Sequence, residues 1–267
     1  MDNEKENKEI ADTERKISIQ ACNVLNDLRK KGQLCDAVIK CDDGQFPVHR
    51  AIMSACSPYF RALFTNGLTE TDQREVFIRG VSSDMMDQII EYAYTRTADV
   101  NSENVERLLP TADQFHVLGL VKECTSFLAS QLAFDNCIGI YNFARAFFCQ
   151  HLIRITHNYI LENFCEIATQ SNEILGLTME QLKEILDSDD LNVKNEETVF
   201  ELVVRWVKHN EGERMQCVQH LLKCIRLGLL STSYFVDHVK VFQFYKLYIY
   251  TYRCILISSR PCCSVGC

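Results

Sequence analysis

The stretch LCDAVIKCDDGQFPVHRAIMSACSPYFRALF, residues 34–64, decides the fold. Its first two segments, CDAVIKC and GQFPVHR, flank Asp42-Asp43-Gly44. An Asp-Gly step supplies the positive φ that a tight hairpin needs, so two antiparallel strands are expected here. Ser54 to Phe64 then carries Tyr59, Phe60, Leu63 and Phe64 after Pro58. Proline is tolerated in a first helical turn because the N–H it lacks would be unpaired there, and the spacing predicts a short buried helix.

Working outward, Ile17, Ala21, Val24, Leu25 and Leu28 recur at helical spacing and end at Lys30-Lys31-Gly32. Basic residues suit the negative end of a helix and glycine closes it, so an amphipathic helix with one face to bury precedes the hairpin. Downstream, Glu75 to Ile78 reads as a short strand, and Met86, Ile90, Ala93 and Tyr94 line one face of another helix. The first hundred residues are therefore mixed α and β.

From Asn101 onward strand signals nearly vanish. Leu108, Phe115, Leu118, Val121 and Phe127 belong to one or two helices, which Pro110 should kink or split by removing a donor and crowding the preceding turn. Asp135 is placed to cap a helix over Asn136 to Phe148, with Ile140, Phe143, Ala144 and Phe147 inward, and Leu152, Ile155, Tyr159 and Ile160 mark the next. Thr178 and Gln181 have the spacing of a capping box, opening a helix over Met179 to Asp187. Val199, Val203, Trp206 and Val207 form a further stripe, and Cys217, Leu221 and Cys224 another. Residues after about Asp135 thus predict an all-α domain of antiparallel helix pairs.

At 267 residues the chain exceeds a single average domain, and its 47% hydrophobic and 24% charged residues are ordinary globular values. A net charge of −8 opposes binding to a phosphate backbone, so no nucleic-acid partner is expected. Met1 to Lys16 is nearly all polar, lacks the apolar run of a secretory signal and reads as a disordered arm. The 14 Cys scatter through apolar helical faces, where a reduced thiol serves as a small hydrophobe, so the expected compartment is reducing: cytoplasm, with the nucleus as a second possibility.

Candidate chemistry is sparse. Cys217, His220 and Cys224 share a helical face, but a metal site usually needs a fourth ligand and a reversing loop, so they read as core filler and no metal is expected. The terminal Cys262, Cys263 and Cys267 are no better a ligand set. None of the seven His has the local setting of a nucleophile and its base, and no phosphate-cradling glycine loop occurs. No cofactor is expected, and no enzymatic activity.

The order of elements leads to residues that resemble a known family. LCDAVI at 34–39, FPVHRAIMSACSPYFRALF at 46–64 and IIEYAYT at 89–95 resemble a BTB/POZ domain. DNCIGIYNFARAFFCQHLIRITHNYILENF at 135–164 and LLKCIRLGLLSTSYF at 221–235 resemble the opening and closing segments of a BACK domain. The pair in this order is similar to the kelch-like family over roughly residues 17–241. The resemblance implies an α+β BTB domain at 17–131 followed by an all-α BACK domain at 135–241, with a divergent tail at 242–267.

The resemblance also implies partners and site residues. It points to a substrate-adaptor subunit of a cullin-3 RING ubiquitin ligase, acting as a homodimer or as a heterodimer with kelch-like proteins. The dimer interface would use Ile17, Ala21, Val24, Leu25 and Leu28, with Asp36, His49 and Arg50 as its polar members. Read without the family, those three are ordinary hairpin residues. Cullin-3 would be held by a hydrophobic-x-Glu motif, here Leu68, Thr69 and Glu70, with Tyr94, Asn136 and Phe143 contributing. Two alternatives stand beside it: a BTB scaffold or corepressor-type dimer that does not engage cullin, and an inactive truncated competitor of full-length relatives.

Some features depart from the family pattern. Propeller blades bring repeated Gly-Gly, Tyr and Trp signatures, and 10 Gly and one Trp give no sign of them, so the expected chain lacks the substrate-binding kelch part. In the tail, Lys246 and Arg253 interrupt an apolar run shorter than the roughly 20 residues a membrane span needs, so no membrane partner is expected. Pro110 and Gly228 stand where relatives have a helix-compatible residue and a proline.

Overall fold

The computed structural model describes residues 17–66 and 74–240. The polar arm at 1–16, the Leu68-Thr69-Glu70 motif and the tail at 242–267 lie outside the described residues. Two compact units are formed, one from the residues up to Gln131 together with Phe147–Leu152, the other from Leu132–Ala146 and the residues from Ile153 on.

In the first unit, helix α1 covers residues 17–30 and leads to strands β1 (Ala37–Lys40) and β2 (Gln45–Val48). They pair antiparallel, from Ala37 opposite Val48 to Lys40 opposite Gln45, as the hairpin reading requires. Gly44 corrects that reading in one respect, because its φ is not positive; Gly32 and Gly80 are the glycines with positive φ among the described residues. Gly44 is needed for space: a Cβ there would meet the Ser83 Cβ at 2.8 Å. The tip is tied to that neighbour, since Asp43 accepts from the Ser83 N–H at 2.8 Å and from its hydroxyl at 3.0 Å.

The single helix expected over Ser54 to Phe64 is two, α2 (Arg50–Cys56) and α3 (Pro58–Thr65). Ser57 breaks them because its backbone is extended and its Oγ accepts from the Tyr59 N–H at 3.1 Å, capping α3. The same hydroxyl donates to the Phe115 carbonyl, so the break is also an anchor. Strand β3 (Glu75–Phe77) pairs parallel to β1, giving the sheet order β2-β1-β3. Helix α4 (Ser83–Thr95) buries Met85, Met86, Ile89, Ile90, Tyr92, Ala93 and Tyr94. Met86, Ile90, Ala93 and Tyr94 are all buried, as the expected face requires, while Asp84 and Asp87 are exposed on the other side.

Helix α5 (Val105–Gln114) carries Pro110 inside it without a break. Pro110 costs the Glu106 carbonyl its donor, but Glu106 lies on the exposed side, where water can serve. The interruption falls instead at Phe115–Val117. There His116 adopts φ 52°, with its N–H on the Asp113 carbonyl at 2.9 Å and the Val117 N–H on that of Ala112 at 2.8 Å, a paired closure of the helix end. Helix α6 (Leu118–Ser130) follows.

The second unit holds α7 (Cys137–Ala146), most of α8 (Gln150–Glu162), α9 (Phe164–Gln170), α10 (Met179–Leu186) and α11 (Glu196–His209). Helix α7 is shorter than the 136–148 expected, and its inward face is Cys137, Ile138, Tyr141 and Ala144. Ile140 and Phe143 are only half-buried and Phe147 is exposed, which corrects the expected stripe by about one position. The capping box is present: the Gln181 N–H donates to Thr178 Oγ1 at 3.2 Å and the Thr178 N–H to Gln181 Oε1 at 2.9 Å. Val199, Val203, Trp206 and Val207 join one apolar core with Phe164, Ile185 and Leu221.

Candidate interaction surface

Helix α1 leaves much of its apolar face uncovered. Ile17 is 62% exposed and Val24 52%, Ala21 is exposed as well, and Leu25 and Leu28 are half-buried. The side chains α1 does bury are polar, Asn26 and Arg29. The helix is amphipathic as expected, but the residues it buries fully lie on its polar side; among the described residues the apolar face is covered only in part, at Leu25 and Leu28.

What holds that polar side is Glu91 of α4. Its carboxylate accepts from Asn26 Nδ2 at 2.9 Å, Arg29 Nη2 at 2.8 Å and Lys30 Nζ at 3.1 Å. Arg29 Nε also donates to Asn26 Oδ1 at 2.9 Å, and its guanidinium lies 5.2 Å from the centre of the Tyr94 ring. Burial pushes the Glu91 carboxyl up, and the bonds from Lys30 and Asn26 with the charges of Lys30 and Arg29 outweigh that, leaving it below the usual carboxylate range. The carboxylate form is thus the one the clamp favours. Asn26 and Arg29 stand at i and i+3, a spacing that makes them neighbours on a helix face. Glu91 lies 62 residues beyond Arg29, and no local signal could have found it.

The root of α1 connects to His49, Asp36 and Arg50. Asp36 Oδ1 accepts from the Arg50 N–H at 2.8 Å, placing a carboxylate at the positive start of α2. The buried His49 has a self-consistent proton arrangement. Its backbone N–H donates to the Tyr94 hydroxyl at 2.8 Å, that hydroxyl donates to Nδ1 at 2.9 Å, and Nε2–H donates to the Gln33 carbonyl at 3.0 Å. The Arg50 guanidinium lies 5.5 Å from the centre of the Phe64 ring. Asp36, His49 and Arg50 thus lie together at the start of α2.

Tyr94, expected to touch a partner, has no exposed surface. Burial pushes its phenol up to about 12, so it stays a neutral hydroxyl serving His49. This corrects its assignment: any part it has in partner binding is indirect, through the seating of α1 and the hairpin. Asn136 and Phe143 lie in the second unit, both half-buried. Asn136 accepts from the Ala133 N–H at 2.8 Å at the start of α7.

The rest of the described surface offers little chemistry. Among the described residues there is no group of three metal-ligating side chains, and Cys224 Sγ faces the His220 carbonyl at 3.4 Å. Burial raises the thiols of Cys124 to about 12 and Cys137 to about 11, far from the thiolate a nucleophile needs. No helix among the described residues is long and apolar enough to cross a membrane.

Comparison with known proteins agrees with this architecture. The BTB/POZ domain model matches residues 25–132, and the BACK model, BTB And C-terminal Kelch, matches residues 137–240. Human kelch-like protein 17 is 36% identical over 235 residues, which cover 88% of this chain and 36% of that protein. Mouse kelch-like protein 17 is also 36% identical, with 88% of this chain and 37% of that protein covered. The chain therefore spans little more than a third of the length of the curated relatives it matches. Among solved structures, the BTB domain of zebrafish PATZ1 is 26% identical with a TM-score of 0.40, covering 44% of this chain and 95% of that one. Read as sequence, the quoted segments resemble kelch-like protein 10; the relatives matched here are kelch-like protein 17, so the likeness is to the family and not to one member. With a BTB domain followed by a BACK domain, the chain belongs to the BTB–BACK proteins of the kelch-like family.

Proposed function

We propose that this chain is a dimeric, non-enzymatic interaction module, the BTB–BACK part of a substrate-adaptor subunit of a cullin-3 ubiquitin ligase. The supporting observation is the apolar stripe of α1, held outward by the clamp on its other side. Burying a Val or Ile side chain fully is worth about 1.5–3 kcal/mol, so an uncovered stripe is a standing drive to associate. A two-fold pair uses each such residue twice. Asp36, His49 and Arg50 form the polar floor beside the stripe.

Cullin-3 engagement rests on the kelch-like resemblance, in which the residues after α3 carry the docking motif. Leu68 supplies a desolvating anchor and Glu70 a charge that fixes basic groups or a helix end nearby, and Asn136 and Phe143 are the BACK-domain residues assigned to the same partner. The domains run over residues 17–131 and 135–241 in this reading. Whether a substrate is delivered depends on the part of the relatives that this chain does not span.

Light scattering after size-exclusion chromatography, with the purified cullin-3 N-terminal domain, tests this. The wild type should elute as a dimer and carry one cullin fragment per copy, while Leu68→Asp with Glu70→Ala stays dimeric and carries none. Full retention of cullin by the double variant removes the motif assignment. A dimeric wild type that binds no cullin leaves a BTB scaffold instead.

A further inference from the structure

The corner between α1 and β1 contains a residue that neither the core nor the His49 network uses. Leu34 has a φ of 59° and is 78% exposed. The left-handed region is disfavoured for a bulky side chain, and glycine or asparagine would sit there more easily. The corner itself is fixed on both flanks. Before it, Gly32 at φ 68° closes α1, its N–H on the Arg29 carbonyl at 2.8 Å and the Gln33 N–H on that of Leu28 at 2.8 Å. The Gln33 carbonyl is then taken by His49 Nε2 at 3.0 Å. After it, Asp36 accepts from the Arg50 N–H at 2.8 Å.

The backbone is therefore pinned, and the Leu34 side chain stands largely uncovered by the described residues. A strained apolar residue that the described residues leave largely uncovered points to another molecule. Position names the occupant. Leu34 follows directly on the bond that ties Gln33 to Leu28, the last residue of the α1 stripe, so it continues that apolar surface around the helix end.

We infer that Leu34 is an anchor of the dimer interface, inserted into a second copy of this chain when the α1 stripes pack. This rests on the dimer reading above and adds a residue to it. In a two-fold interface both copies contribute Leu34, so one substitution removes two anchors.

Sedimentation equilibrium of the full chain as wild type, Leu34→Asn and Leu34→Met tests the inference. Asparagine accepts the left-handed backbone and removes the apolar anchor, while methionine keeps the apolar volume. Leu34→Asn should raise the dimer dissociation constant at least about 10-fold, with Leu34→Met close to wild type. At a dilution where all are monomers, Leu34→Asn should unfold at the same temperature as wild type or higher. A Leu34→Asn chain that dimerises like wild type overturns the anchor role and leaves the dimer reading standing. A Leu34→Asn monomer that melts several degrees lower overturns it too, since Leu34 would then serve the monomer's own packing. A wild type that stays monomeric throughout takes down the dimer reading and the anchor with it.

Discussion

Helices α1 and α11 carry the same kind of sequence pattern and use it in opposite ways. Helix α11 turns Val199, Val203, Trp206 and Val207 into the core of its unit and leaves Glu201 and Lys208 exposed, with Glu196 its one buried charge. Helix α1 turns Asn26 and Arg29 inward and leaves Ile17, Ala21 and Val24 outside. An amphipathic stripe states that a face must be covered; it does not state by what. For α11 the cover is its own unit. For α1 the described residues supply no such cover, which is why α1 is proposed as the interaction surface.

The comparison can be broken most directly at Trp206. Its indole N–H donates to the Leu177 carbonyl at 2.9 Å, and the Arg214 guanidinium lies 4.1 Å from the ring centre. Trp206→Ala should cost about 3–5 kcal/mol, seen by denaturant unfolding, because both the packing and a satisfied buried donor are lost. A cost near zero would mean that α11 is not a core helix.

A middle-sized effect is expected at the clamp. Glu91→Ala leaves the buried Arg29 without its carboxylate and should cost about 1–3 kcal/mol in the same measurement. The clamp also sets a pH response. Its carboxyl titrates below the usual range when folded, so its contribution is complete above the unfolded carboxylate's value and lost as pH falls through the folded one. Acidification should therefore weaken the wild type more than Glu91→Ala; identical acid responses would show that the clamp does not seat α1.

The smallest effect on the isolated chain sharpens the contrast most. Ile17→Ser with Val24→Ser should change monomer stability by no more than about 0.5 kcal/mol, since both residues are exposed, while abolishing the dimer. A large loss of monomer stability would mean that the stripe is covered within one chain after all.

The legible part of this protein was its local grammar. The hairpin, the capping box at Thr178 and the stripe of α11 follow from short-range patterns, since strand alternation and helix capping are decided by residues a few positions apart. Readings that assumed the surroundings went astray. Pro110 was expected to interrupt α5, yet the break comes at His116, because water can serve the carbonyl that proline strands while Ser57 and the Phe115 carbonyl hold the corner. The Asp-Gly step implies a positive φ at Gly44, whereas the constraint there is the close approach of Ser83. On α7 the apolar residues fill more than one face, so the sequence alone did not single out the inward one.

The same division holds at the site. Sequence by itself determined that residues 17–30 form an amphipathic helix ending at Gly32, and that Asp36, His49 and Arg50 lie at one hairpin. Only the tertiary structure decided that this helix seats its polar side, that Glu91 is the seat, that Tyr94 is sealed inside and that Leu34 stands outside at a strained φ. The reason is range: periodicity is set by the helix's own geometry, whereas orientation depends on a carboxylate that folding brings from α4.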